Sequence, residues 1–259
     1  MVYKKLENET WGERKARERG ERAVERQLDY QSRKSRDVNE NPGIVALNIK
    51  RKATLVREKI APFLEIDGST RILEVGSGAH GLIFGFEGAW AVGVDPLADS
   101  YHALFPDWQA RNPIVTAVGE NLPFAEGQFD LILCDNVIDH AARPFDILAE
   151  IARVLRPAGI LFFTVNTHHP AYDLFSRFYG ISKAFGLGPE ITPFADHTVH
   201  LTQNGVLKTF EKQPFSLLSV VEPFGHKELE SARSRGIEGA IKRMFPKNIL
   251  FEIIASKSG

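Results

Sequence analysis

"RILEVGSGAHG", residues 71–81, decides how the rest of the chain is read. An apolar run ends in Gly76-Ser77-Gly78-Ala79-His80-Gly81, which has the spacing G-x-G-x-x-G. A glycine turn at the end of a strand lets backbone approach a ligand closely, and the helix start that follows favours negative charge. A dinucleotide uses that positive end for its pyrophosphate. Glu74 points elsewhere: a carboxylate in the strand under the loop suits a ligand carrying positive charge. It can hold an ammonium directly or order the loop that does. The glycine spacing alone is a weak signal. With Glu74 it turns towards a cationic, phosphate-free cofactor.

Four more apolar runs follow: "WAVGVD" (90–95), "PIVTAV" (113–118), "FDLILCD" (129–135) and "GILFFTV" (159–165). They are continuous rather than alternating, as expected of strands buried on both faces of a parallel sheet. Between the last two, Ile147, Leu148, Ile151, Val154 and Leu155 form an apolar helix face, with Pro157 and Gly159 as its stop. The alternation predicts a Rossmann-like, doubly wound α/β sheet. "LTQNGVLKTFEK" reads as a short helix with Thr202 as N-cap, and "FSLLSVV" (215–221) and "NILFEIIAS" (248–256) as closing strands. Asp95, which ends the second run, is placed to accept hydrogen bonds from ribose hydroxyls. Any adenosine-containing ligand would use it, so it does not discriminate.

Residues 1–43 differ. "WGERKARERGERAVERQLDYQSRKSRDVNE" is rich in interleaved charges and helix formers, with Val24 and Leu28 on one face and Arg17 and Glu21 on another. It reads as a charged helical arm: a solvated helix, a flap over the active site or an oligomer contact. "NENPG" (39–43) ends it, and residues 44–259 form the main domain. The formal charge of −1 over 259 residues gives no global field that would favour nucleic acid. No run approaches the ~18 apolar residues of a membrane span, and the expected location is cytoplasmic. The single cysteine, Cys134, reads as a buried structural thiol.

"ILEVGSG", "GVDP", "GENLPFAEGQFDLILCDNVIDH" and "EIARVLRPAGILFFTV", in this order, resemble the class I S-adenosylmethionine-dependent methyltransferases, in particular the small-molecule type with a methyltransferase-11-like domain. The resemblance covers residues 50–222 well and 1–40 and 223–247 poorly. It implies a mostly parallel seven-stranded sheet whose last strand is antiparallel. It assigns the methionyl end of S-adenosylmethionine to Glu74, Gly76, Ser77 and Gly78, and the ribose diol to Asp95, with Pro96 flanking the adenine. Gly119, Glu120 and Asn121 would border the adenine, and Asp135 and Asn136 would lie beneath the sulfonium. One departure stands out. Relatives carry an acid for the adenine amino group where this chain has Val118, which leaves backbone groups or Glu120 for that task.

Methyl transfer to a hydroxyl benefits from a base with a pKa near neutrality, typically histidine. Five of the eight histidines, His140, His168, His169, His197 and His200, follow the fourth or fifth strand. His140 is the first choice for a base or acceptor contact, with His168 and His200 next. Asp139 reads as a helix cap. The histidine spacing does not favour a metal. Residues 168–200 read as a helix packed on the sheet or an aromatic lid over the acceptor, and Lys227, Arg233, Arg235, Lys242 and Arg243 as a basic face. The expected activity is methyl transfer to a small-molecule or glycan-like acceptor, at oxygen in preference to nitrogen or carbon. A non-catalytic cofactor-binding protein and a nicotinamide-dependent dehydrogenase remain as alternatives. The arm leaves a homo-oligomer open.

Overall fold

The structure, a computed structural model, describes residues 9–167, 201–221 and 249–259. Seven strands form one sheet: β1 (Arg71–Val75), β2 (Trp90–Val94), β3 (Ile114–Val115), β4 (Phe129–Asp135), β5 (Leu155–Thr167), β6 (Phe215–Val221) and β7 (Ile249–Lys257). Their order is β3-β2-β1-β4-β5-β7-β6. The first five run parallel, and β7 is antiparallel to both β5 and β6.

Continuous apolar strands bury both faces, and the residues show it with a period of two. Leu73, Val75, Ile132 and Cys134 pack on one face, against Ile147, Leu148 and Ile151 of α5 (Pro144–Val154) and Phe210 of α6 (Gln203–Phe210). Ile72, Leu131 and Leu133 face the other way. They pack against Ala53, Val56 and Ile60 of α2 (Pro42–Ile60), Tyr101 of α3 (Ala98–Leu104) and Trp108 of α4 (Pro106–Gln109). Thr202 caps α6 as the sequence predicts, its hydroxyl accepting from the Gly205 N–H at 3.1 Å.

Two boundaries differ from the reading. β3 covers only Ile114 and Val115, pairing with Gly93 and Val94 at the sheet edge. Beyond it Thr116 Oγ1 donates to Asp99 at 2.8 Å, and the chain leaves the ladder. At the other site, α5 already ends at Val154. Leu155 opens β5 opposite Phe129, and the next register pair is Leu131 with Ile160. Pro157 and Gly159 therefore sit in a bulged strand start rather than stopping the helix, and Ala158 takes a φ of 57° there.

The arm is helix α1 (Trp11–Glu40), opened by a reciprocal capping box between Thr10 and Glu13. Arg17 pairs with Glu21 at 3.1 Å and Glu9 at 2.8 Å. The helix is not simply solvated. Gly20 is buried, and Val24, Leu28 and Val38 pack against the core on the α2 side of the sheet.

Candidate functional site

The chain reverses the direction of its crossovers between β1 and β4, where an open α/β sheet leaves a crevice at its carboxyl ends. A cavity lies there. Its walls come from Val75, Gly76 and Gly78 after β1, from Asp95, Pro96 and Leu97 after β2, and from Val118, Gly119 and Glu120 after β3. Asn136, Val137 and His140 close it after β4.

The glycine loop is built around Glu74. This side chain is 2% exposed, and its two carboxylate oxygens accept the N–H groups of Leu82 and Ile83 at 2.9 Å each. Of the two roles open in sequence, the structure therefore gives Glu74 that of ordering the loop. Gly81 has no side chain because the Glu74 carboxylate occupies that space. Gly76 (φ 69°) and Gly78 (φ 60°) adopt left-handed conformations that other residues resist. Burial pushes the Glu74 pKa up to about 8, with Asp135 adding to the rise and the two N–H donors and Lys52 opposing it.

Asp95 is 7% exposed, accepting from Gly78 N–H at 2.9 Å and Leu97 N–H at 2.8 Å. Burial lifts its pKa to about 6 against those two bonds. Each carboxylate oxygen has two lone pairs, so one accepted bond on each leaves capacity for a ligand hydroxyl. Asn136 holds a left-handed φ of 58°, with its Oδ1 accepting from the backbone and side-chain N–H groups of Asn166.

Other expected positions fall differently. Ser77 is buried inside the turn and is not part of the wall, and neither is Asn121, which is exposed. Glu120 lines the cavity, but its Oε1 accepts from Ala142 N–H at 3.0 Å and Arg143 N–H at 3.1 Å, so it braces the chain before α5. Asp135 ends β4 beside the cavity, bonded to Thr164 Oγ1 at 2.7 Å and paired with Lys52 of α2. His140 lines the cavity with its side chain 46% exposed, Nε2 3.7 Å from the buried Asp139 carboxylate. Asp139 thus neighbours the histidine and makes no side-chain cap on α5. His168, His169, His197 and His200, the aromatic segment 168–200 and the basic stretch around Lys227–Arg243 lie outside the described residues. Cys134 is buried, which raises its thiol pKa and leaves it inert as a nucleophile. Among the described residues no group of acids, histidines or cysteines could hold a metal, and no helix is long and apolar enough to cross a membrane.

The sequence offered the arm as a flap over the active site without fixing which residues would do it, and Tyr101 and Lys52 gave no signal. Ala23, Val24 and Gln27 of α1 cover the cavity from outside. Tyr101, hydrogen-bonded with Gln27, joins the wall from α3. Lys52 reaches Asp135 from α2. Only the one-turn spacing of Ala23, Val24 and Gln27 within a charged helix hinted at the first.

Comparison with known proteins bears on the fold and on the stretch that carries the glycine loop. Residues 73–163 match the family model described as a methyltransferase domain, Methyltransf_11. Over 92 residues the chain is 38% identical to an uncharacterized methyltransferase of Mycolicibacterium gilvum (strain PYR-GCK), covering 34% of this chain and 36% of that protein. It is 36% identical over 93 residues to an uncharacterized methyltransferase of Mycobacterium tuberculosis, covering 35% and 37%. The aligned region thus spans little more than a third of these relatives. The fold matches a geranyl diphosphate C-methyltransferase from Streptomyces coelicolor A3(2), solved with S-adenosyl-L-homocysteine (TM-score 0.56, 15% identity, 79% of each chain). It also matches the cyclase SpnF (TM-score 0.55, 20% identity, 81% of this chain and 80% of that one). Residues 73–163 thus resemble the methyltransferase domain of the Methyltransf_11 model, and the seven-stranded sheet has the fold of these solved structures.

Proposed function

We propose that the protein transfers a methyl group from S-adenosylmethionine to a small-molecule or glycan-like acceptor at oxygen. The observation that carries this reading is the cavity between the Gly76–Gly78 turn and Asp95, with the Glu74 carboxylate holding the turn from below. The residues fit the group. Two left-handed glycines keep the loop free of side chains, Asp95 offers acceptor capacity for a ribose diol, and Pro96, Leu97 and Val118 offer an apolar slot for a flat base. The acids Asp95 and Asp135 near the loop favour a cationic ligand over a pyrophosphate.

When bound, S-adenosylmethionine supplies an electrophilic methyl group on a sulfonium. The chain's work is to hold it, exclude water and position the acceptor. α1 contributes the outer cover through Ala23 and Val24. His140 would accept the acceptor's hydroxyl proton, and the Asp139 carboxylate would stabilise the imidazolium that forms. His168 and His200 remain candidates for the same task.

Equilibrium titration with S-adenosylmethionine, S-adenosylhomocysteine and NADH tests the reading. Micromolar binding of the two sulfur ligands and none of NADH is expected. NADH binding alone would restore the dehydrogenase reading, and binding of none would remove the catalytic one.

A further inference from the structure

A second cavity, of about 310 Å³, lies between α2, the 3-10 turn Leu82–Gly85 and the residues around α4. It shares no lining residue with the cavity at the switch point. Ile49, Phe84 and Trp108, all buried, supply its apolar wall. That wall is firmly built. The Trp108 ring meets the Phe84 ring at 6.0 Å and the His80 imidazole edge-on at 5.3 Å. Next to it, Gln109 Nε2 donates to the Ala79 carbonyl at 2.9 Å.

Three exposed charged residues complete the lining: Lys50, Arg111 and Glu87, two cations against one acid. Neither cation makes an ion pair among the described residues. Arg111 is nevertheless held in place. Its guanidinium lies 3.9 Å from the centre of the Trp108 ring, and its Nε donates to the Asp107 carbonyl at 3.4 Å. An arginine stacked in this way is oriented before a ligand arrives, so its planar fork loses less freedom on taking a carboxylate.

We infer that this cavity is a second binding site, for an aromatic monocarboxylate. The ring lies against Ile49 and Phe84, and the carboxylate takes Lys50 and Arg111. An apolar wall with a few convergent polar groups is the usual make-up of a small-molecule site. The charge selects among ligands. A neutral ring would leave the excess positive charge unmatched, and a second negative charge would meet Glu87. Because the two cavities have separate walls, both can be filled at once.

Calorimetry on the full chain tests this with 2-naphthoate and with 2-naphthamide, which keeps the ring and lacks the charge. 2-Naphthoate is expected to bind with a Kd of about 0.1 mM, and the amide about tenfold more weakly. Lys50→Glu and Arg111→Glu each reverse an exposed charge and should each weaken 2-naphthoate about tenfold. Lys50→Glu leaves the stacked arginine in place, so it decides the matter should the Arg111 variant melt early. Saturating S-adenosylhomocysteine should leave the 2-naphthoate Kd within twofold. Four results would each overturn the inference: no binding of 2-naphthoate, an amide that binds as tightly, binding that Lys50→Glu leaves unchanged, or displacement by S-adenosylhomocysteine. The amide and the two variants give their answer even if S-adenosylhomocysteine does not bind, so the site stands or falls apart from the function proposed above.

Discussion

Replacing Glu74 by glutamine tests the floor of the glycine loop. Both carboxylate oxygens accept backbone N–H groups, and burial pushes the pKa from 4.5 to about 8. The folded value lies above the unfolded one. The carboxyl's contribution to stability is therefore complete below pH 4.5 and lost as pH rises through 8. At about 1.4 kcal/mol per pKa unit, the loss between pH 6 and pH 9 is about 3 kcal/mol. Glutamine cannot ionise, so Glu74→Gln removes that slope. It also turns one acceptor into an amide donor facing a backbone N–H, a cost of about 1–3 kcal/mol at every pH. The variant is thus expected to be the weaker protein at pH 6 and to match or exceed the wild type at pH 9. Urea unfolding at half-unit steps from pH 5.5 to 9 reads the difference directly. A gap between the two proteins that stays constant with pH would refute this account of Glu74.

Three further outcomes follow from neighbouring geometry. Asp95→Asn is expected to bind S-adenosylhomocysteine about tenfold more weakly. Wild-type affinity, flat above pH 6, should fall below it and level off about tenfold weaker, near the Asp95→Asn value, because the ribose contact favours the ionised carboxyl whose pKa is about 6. Calorimetry across pH 5–8 checks both. Gly81→Ala drives a methyl group into the Glu74 carboxylate and to 2.7 Å from the Ser77 carbonyl oxygen. Its melting temperature should drop several degrees in calorimetric scans, at about 2–4 °C per kcal/mol. Ala23→Trp fills the cavity from α1 without touching the sheet. Ligand binding should be lost with the melting temperature unchanged, whereas unaltered affinity would mean that α1 does not cover the ligand.

The sheet and its switch point were legible because continuous apolar runs and a glycine turn leave few alternative topologies. The ends were less so. β3 reads long because "PIVTAV" is apolar throughout, yet only two of its residues find a partner at the sheet edge. Glu74 was correctly placed under the loop, but sequence could not choose between a ligand ammonium and two backbone N–H groups. That choice depends on where the chain turns at Leu82. Lys52 lay beyond reach because its partner is 83 residues away, on a different element. α1 stayed open between solvated helix, flap and oligomer contact for a related reason. Charged residues dominate its sequence, while the residues that touch the cavity, Ala23, Val24 and Gln27, are small or neutral.

An adenosyl ligand is proposed to occupy the cavity at the carboxyl ends of β1, β2 and β4. A crystal structure with S-adenosylhomocysteine tests it most directly. The ribose hydroxyls should lie within hydrogen-bonding distance of Asp95, the adenine between Leu97 and Val118, and α1 over the ligand. A ligand bound elsewhere, or one whose ribose avoids Asp95, would contradict the account.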